Sequence, residues 1–144
     1  APYVLNKQGE LEPGKYPEHF GSSAGMVASV ADYARYILAL KQNRFLRPET
    51  RAQAFAPARS NSGKALPYGL GWFTENIGGT DLIWHYGYWN SASSLVLMVP
   101  EQDTTFIAFA NSDGLSRGFG LGKGKIVRSP AAQLFLHNIV FNGD

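Results

Sequence analysis

The sequence predicts an α+β fold in which an antiparallel sheet is flanked by amino- and carboxy-terminal helices. Three patterns carry that prediction: an apolar stripe of helical period after Ser29, two apolar and β-branched runs (93–99 and 104–110) joined by a short polar turn, and a second helical stripe after Ser129-Pro130. No succession of βα units is present from which a parallel sheet could be wound. A 144-residue chain is long enough for one core, and a compact fold of this mass buries about two-thirds of its unfolded surface. We therefore read residues 1–144 as a single segment, with 1–60 as its loop and helical part and 61–144 as the sheet plus the last helix.

Residues 1–25 are rich in Pro and Gly, show no sustained period and read as loop. From Ser29 the pattern changes. Val30, Tyr33, Ala34, Ile37 and Leu38 form one apolar face, with Ser29 and Asp32 placed as a near capping box. Pro48 predicts the first turn of a shorter helix running to about Phe55, because proline at the first helical position loses no hydrogen bond. The middle of the chain switches to period two. Tyr68, Leu70 and Trp72 are expected on one face of a strand, with Gly69 and Gly71 on the other, where a second backbone could approach closely. A strand over Asp81 to His85 follows Gly78-Gly79. The runs Ser93 to Val99 and Thr104 to Ala110 form a hairpin around Pro100-Glu101-Gln102-Asp103, and their near-continuous apolar character predicts layers on both faces. Asn111 to Arg128 reads as a polar, glycine-dense surface loop. Ala132, Phe135, Leu136, Ile139 and Val140 then mark the buried stripe of the last helix.

Composition narrows the function classes. With 44% hydrophobic and 17% charged residues the chain is globular in character, and no apolar run approaches the roughly 18 to 20 residues of a membrane span. There is no cysteine, and His19, His85 and His137 are too scattered for a metal site, so neither metal nor cofactor is expected. A net charge of +2, with a local excess only at Lys123, Lys125 and Arg128, gives no footprint for nucleic acid. Ala1 to Leu5 lacks the layout of a signal peptide and the chain lacks an initiating Met, which leads us to expect that it begins where something was removed.

Three segments are candidate sites. Gly21-Ser22-Ser23-Ala24-Gly25 matches Gly-x-Ser-x-Gly, which would make Ser23 a nucleophile in an independent esterase, but the preceding residues lack strand alternation, and a small-residue turn is the plainer reading. Gly118 to Lys125 is glycine-rich, yet fits neither phosphate-binding register. Trp84-His85-Tyr86-Gly87-Tyr88-Trp89-Asn90 is the most informative. It reads either as an aromatic core patch with a satisfied histidine, or as a catalytic wall. In the second case Gly87 leaves room for substrate, the Tyr88 amide faces a developing oxyanion, and His85 titrates beside it. A different class of function is a binding module in which Trp84, Tyr86, Tyr88 and Trp89 make an aromatic platform for sugar or peptide.

Taken in order, Ala24-Gly25-Met26-Val27-Ala28-Ser29 with Asp32, Ala34 and Arg35, then Tyr68-Gly69-Leu70-Gly71-Trp72, His85-Tyr86-Gly87, Leu97-Met98-Val99-Pro100-Glu101 and Ala110-Asn111 resemble the carboxy-terminal part of the serine β-lactamase-like superfamily. The branch concerned holds class C β-lactamases, D,D-peptidases, D-aminopeptidases and related esterases. The resemblance implies a sheet flanked by helices beside an all-α domain, with the active site between them, in a bacterial periplasmic or secreted setting. It also implies that His85-Tyr86-Gly87 is the His-x-Gly form of the third motif, that the Tyr88 amide is half of the oxyanion hole, and that Asn111 lies near the substrate's carboxylate. The family's Ser-x-x-Lys is absent, since no serine here has lysine three residues on, and Tyr88-Trp89-Asn90 sits in the wrong place to be its Tyr-x-Asn. The chain is thus expected to be inactive alone, to act on a lactam, D-amino-acid peptide or ester only with a missing amino-terminal half, and to self-associate or bind that half through exposed strand edges and apolar faces.

Overall fold

A computed structural model describes residues 1–16, 18–19 and 21–141. Its centre is a four-stranded antiparallel sheet in the order β3 (Phe73–Ile77), β4 (Thr80–Trp89), β5 (Ala92–Val99), β6 (Thr104–Ala110). Three tight connections build it in chain order. Gly78-Gly79 and Asn90-Ser91 are two-residue hairpin loops, and the first contains two positive-φ glycines that suit such a turn. The third connection is Pro100–Gln102 in a 3₁₀ turn followed by Asp103 at φ 49°.

One face of the sheet carries Leu82, Trp84, Leu95, Leu97 and Val99, which pack with Phe73 against Leu121, Ile126, Ala132, Leu136 and Val140 from the carboxy-terminal part. The other face carries Val96 and Met98, covered by α1 (Val30–Lys41) and α2 (Pro48–Phe55) through Ile37, Tyr33 and Phe55. The predicted two-sided cover therefore holds for β5, one of the two inner strands. β6 is an edge strand and only half-buried.

Both long-range helix predictions are met, with corrections of phase. Ser29 caps α1, its hydroxyl accepting from the Asp32 N–H at 3.1 Å. The inward line is Tyr33, Ile37 and Leu40, while Val30, Ala34 and Leu38, expected on the apolar face, are exposed, because the helix meets the sheet along a strip narrower than that face. The last helix begins at Pro130 behind the Ser129 cap, but Leu136–Val140 forms a π-helical turn. The wider turn sets Val140 above Leu136 and swings Ile139 out to 58% exposure, so Ile139 is not part of the buried stripe.

Three segments depart further from expectation. Within the presumed loop of residues 1–25, β1 (Tyr3–Leu5) pairs with β2 (Leu11–Pro13), because Asn6 Oδ1 accepts from the amides of Gln8 and Glu10 and Gly9 takes φ 82°. Pro17, counted in that loop, lies outside the described residues. Tyr68 to Trp72 is a loop rather than a strand: Leu70 is exposed while Trp72 packs on Phe55, and the strand starts only at Phe73. Lastly, 111–128 is more than a surface loop. Two 3₁₀ turns within it bury Leu121 and Ile126 almost completely.

Candidate active site

β4 is where the sheet changes character. β3 pairs with it only from Thr80 to Trp84, whereas β5 accompanies it from Ile83 to Trp89. The two-residue loops at both ends of β4 fix the hydrogen-bond phase. Even-numbered residues turn their N–H and C=O toward β3 and odd-numbered ones toward β5. Past Trp84 the even positions are Tyr86 and Tyr88. Their amides face the side that β3 no longer occupies, and no loop carbonyl among the described residues accepts from either. The strand thus ends in a short open edge whose two amides have no acceptor among the described residues.

His85 stands at the start of this stretch, half-buried. Its Nε2 lies 3.0 Å from the Tyr68 hydroxyl, and the rings of Tyr68, Phe73 and Tyr86 surround it at centroid distances of 5.9, 5.9 and 6.0 Å. Burial pushes the imidazole below its ordinary value of 6.5, and a hydrogen bond to the Tyr86 backbone opposes that shift. The histidine is therefore held toward its neutral form.

Gly87 is required by the sheet itself. A Cβ there would collide with the Ser94 hydroxyl on the facing strand, so the missing side chain makes room for Ser94 within the sheet. The Gly87 carbonyl also accepts from Ser116 Oγ at 2.8 Å. Ser93 Oγ donates to the Ser112 carbonyl at 2.6 Å and accepts from the Leu115 amide. These buried hydroxyls fasten the 111–117 segment behind the open stretch of β4.

The other predicted positions fall as follows. Tyr88 and Trp89 are exposed at the tip of β4, and Tyr86 is half-buried with its hydroxyl against Gly122. Trp84 is fully buried in the core, so a four-membered aromatic platform does not exist. Asn111 is exposed two strands away, at the same end of the sheet, with its amide donating to the Ala1 carbonyl at 2.8 Å. Ser23 lies in an exposed turn closed by the Ala24 amide on the Gly21 carbonyl. No strand among the described residues leads into it, and the next helix begins only at Val30, so the geometry of a nucleophile elbow is absent. A groove between α2 and the β3–β4 hairpin, lined by Phe55, Asn76, Asp81 and Glu101, lies apart from His85.

Sequence reasoning did not single out Tyr68 as a partner of His85. The available signal was the pair Gly69 and Gly71, which flags an unusual backbone path immediately after the tyrosine.

An antiparallel sheet between helices, with a His-x-Gly strand exposed along part of one edge, defines an α+β fold of the β-lactamase-like class. The beta-lactamase family model matches residues 2–125, and the chain belongs to that family. Penicillin-binding protein 4* of Bacillus subtilis (strain 168) is 31% identical over 115 residues, 77% of this chain and 25% of that protein. The structure of the octameric penicillin-binding protein homologue from Pyrococcus abyssi superposes with a TM-score of 0.68 at 22% identity, over 82% of this chain and 28% of that one. This chain spans about a quarter of the length of the curated relative it matches.

Proposed function

We propose that this chain forms the third-motif wall of a penicillin-recognising serine hydrolase, with the attacking serine and its lysine supplied by residues outside this sequence. One observation carries the reading: beyond Trp84 the strand bearing His85, Tyr86, Gly87 and Tyr88 keeps a neighbour on one side only. A carbonyl laid along the vacant side meets the Tyr88 N–H, half of an oxyanion hole whose other half is the serine's own amide. The serine oxygen adds to an amide, lactam or ester carbonyl. The tetrahedral oxyanion collapses with departure of the amine or alkoxide, and water then cleaves the acyl-enzyme. A donor already fixed in place requires no reorganisation as charge develops, and losing one such donor slows turnover by about 10² to 10³. His85 and Tyr86 bind substrate and manage protons beside it, and Asn111 meets the substrate's carboxylate after releasing the Ala1 carbonyl.

In this reading the 144 residues alone are inactive, since they contain no Ser-x-x-Lys. The exposed Met26, Val27 and Val30 before and at the start of α1 are surface for the complementary half or for another copy. The Pyrococcus relative is described as octameric, which favours self-association here too. No helix among the described residues is long and apolar enough to cross a membrane, and the setting we propose is periplasmic or secreted. Joined to a segment that supplies Ser-x-x-Lys, the protein is expected to hydrolyse a chromogenic lactam or a p-nitrophenyl ester, and His85→Ala to depress that rate. Undiminished turnover in the variant would remove His85 from the mechanism.

A further inference from the structure

The loop that precedes β3 is shaped by two glycines with different duties. A Cβ on Gly69 would stand 2.5 Å from both the Ala54 and the Ala56 carbonyl oxygens, so the end of α2 rests directly on its backbone. Gly71 takes φ 84°, which an L side chain resists, and has open space around it. Between them the chain doubles back: the Gly69 amide donates to the Trp72 carbonyl at 2.7 Å and Tyr68 pairs antiparallel with Phe73. The Tyr68 carbonyl accepts from the Ala58 amide at 2.9 Å, and its ring sits edge-on to Phe73 at 4.5 Å. Backbone and ring are both held, and the hydroxyl arrives 3.0 Å from His85 Nε2.

We infer that Tyr68 is a positioning residue for the site: its hydroxyl donates to His85 Nε2, holding the imidazole as the Nδ1–H tautomer and fixing the ring beside the open stretch of β4. In a neutral imidazole one nitrogen donates and the other accepts, and the partner of one decides the state of the other. The bare ring nitrogen of a neutral imidazole is a far better acceptor than a phenol oxygen, and the phenol O–H the more acidic donor, so across the 3.0 Å contact Tyr68 donates and Nε2 accepts. The titratable groups around the ring are Tyr68 and Tyr86, and among the described residues no carboxylate or ammonium forms an ion pair with it. A tyrosine is thus the group that selects the tautomer.

The inference draws its functional weight from the proposed substrate wall, yet its test needs no turnover. In the 144-residue chain labelled with ¹⁵N at histidine, the ring-nitrogen shifts of His85 above its titration should report Nδ1–H. In Tyr68→Phe, which keeps the ring and removes the hydroxyl, the Nε2–H form should grow and the titration midpoint should move upward, because the neutral ring has lost a donor. An Nε2–H tautomer in the wild type overturns the inference, whether or not the variant folds. So do unchanged shifts and midpoint in a folded Tyr68→Phe. Unaltered hydrolysis in His85→Ala would instead defeat the substrate-wall reading and leave the tautomer result standing.

Discussion

The two halves of β4 obey different rules. From Thr80 to Trp84 the strand pairs with β3, with β5 joining on the other side from Ile83, and its inward side chains Leu82 and Trp84 are sealed in the core. From His85 to Trp89 it keeps only β5, and its side chains pass from half-buried to exposed within five residues. The first half supplies rigidity and the second supplies amides with no acceptor among the described residues, so one strand holds an open edge in place without loop flexibility. Placing a site on a rigid element beside its own anchor is a general route to preorganisation.

The comparison breaks most visibly in the closed half. Trp84→Ala should cost about 3–5 kcal/mol by chemical denaturation, as expected for an aromatic removed from a packed core. Trp84 Nε1 has no partner among the described residues, so Trp84→Phe should retain most of the stability. Equal losses in the two variants would mean that the indole N–H has an unrecognised role.

Next in size is the junction with α2. Gly69→Ala forces two helix carbonyls aside and should cost about 1–3 kcal/mol, the range for overpacking. Wild-type stability in that variant would show that the end of α2 yields freely and does not hold Tyr68. In the open half, Gly87→Ala should cost only ~1 kcal/mol, because a serine hydroxyl can rotate away. Adding Ser94→Ala should recover most of that loss in a double-mutant cycle. Additive losses would place the strain somewhere other than the Ser94 hydroxyl.

The smallest effect concerns pH. His85 has a folded pKa below its ordinary 6.5, so the unfolded chain binds more protons between the two values. Stability is fully present above pH 6.5 and declines as pH falls through the depressed folded pKa. Denaturation midpoints measured across that window should show the decline in the wild type and a flatter profile in His85→Gln, and identical profiles would show that the open half does not penalise a charged ring.

Local signals made most of the framework readable. The Ser29 and Ser129 caps, Pro48, and the apolar runs around Pro100 to Asp103 each specify an element through chemistry confined to a few neighbouring residues. The Asn6 and Gly9 turn shows the limit, because side-chain capture of backbone amides makes a hairpin where Pro and Gly content suggested loop. Leu121 and Ile126 were hidden for another reason: single apolar anchors among glycines carry no period. At the site, the order of the family's segments singled out His85-Tyr86-Gly87. The bond between Tyr68 and His85 spans 17 residues and depends on a loop path that no periodicity encodes.

Gly69 has a meaning for sequence comparison. Because helix carbonyls fill the space where a side chain would start, a related protein with any other residue there must route the end of its second helix along another path. That one position consequently sorts homologues by how helix and strand are joined, before any coordinates are determined.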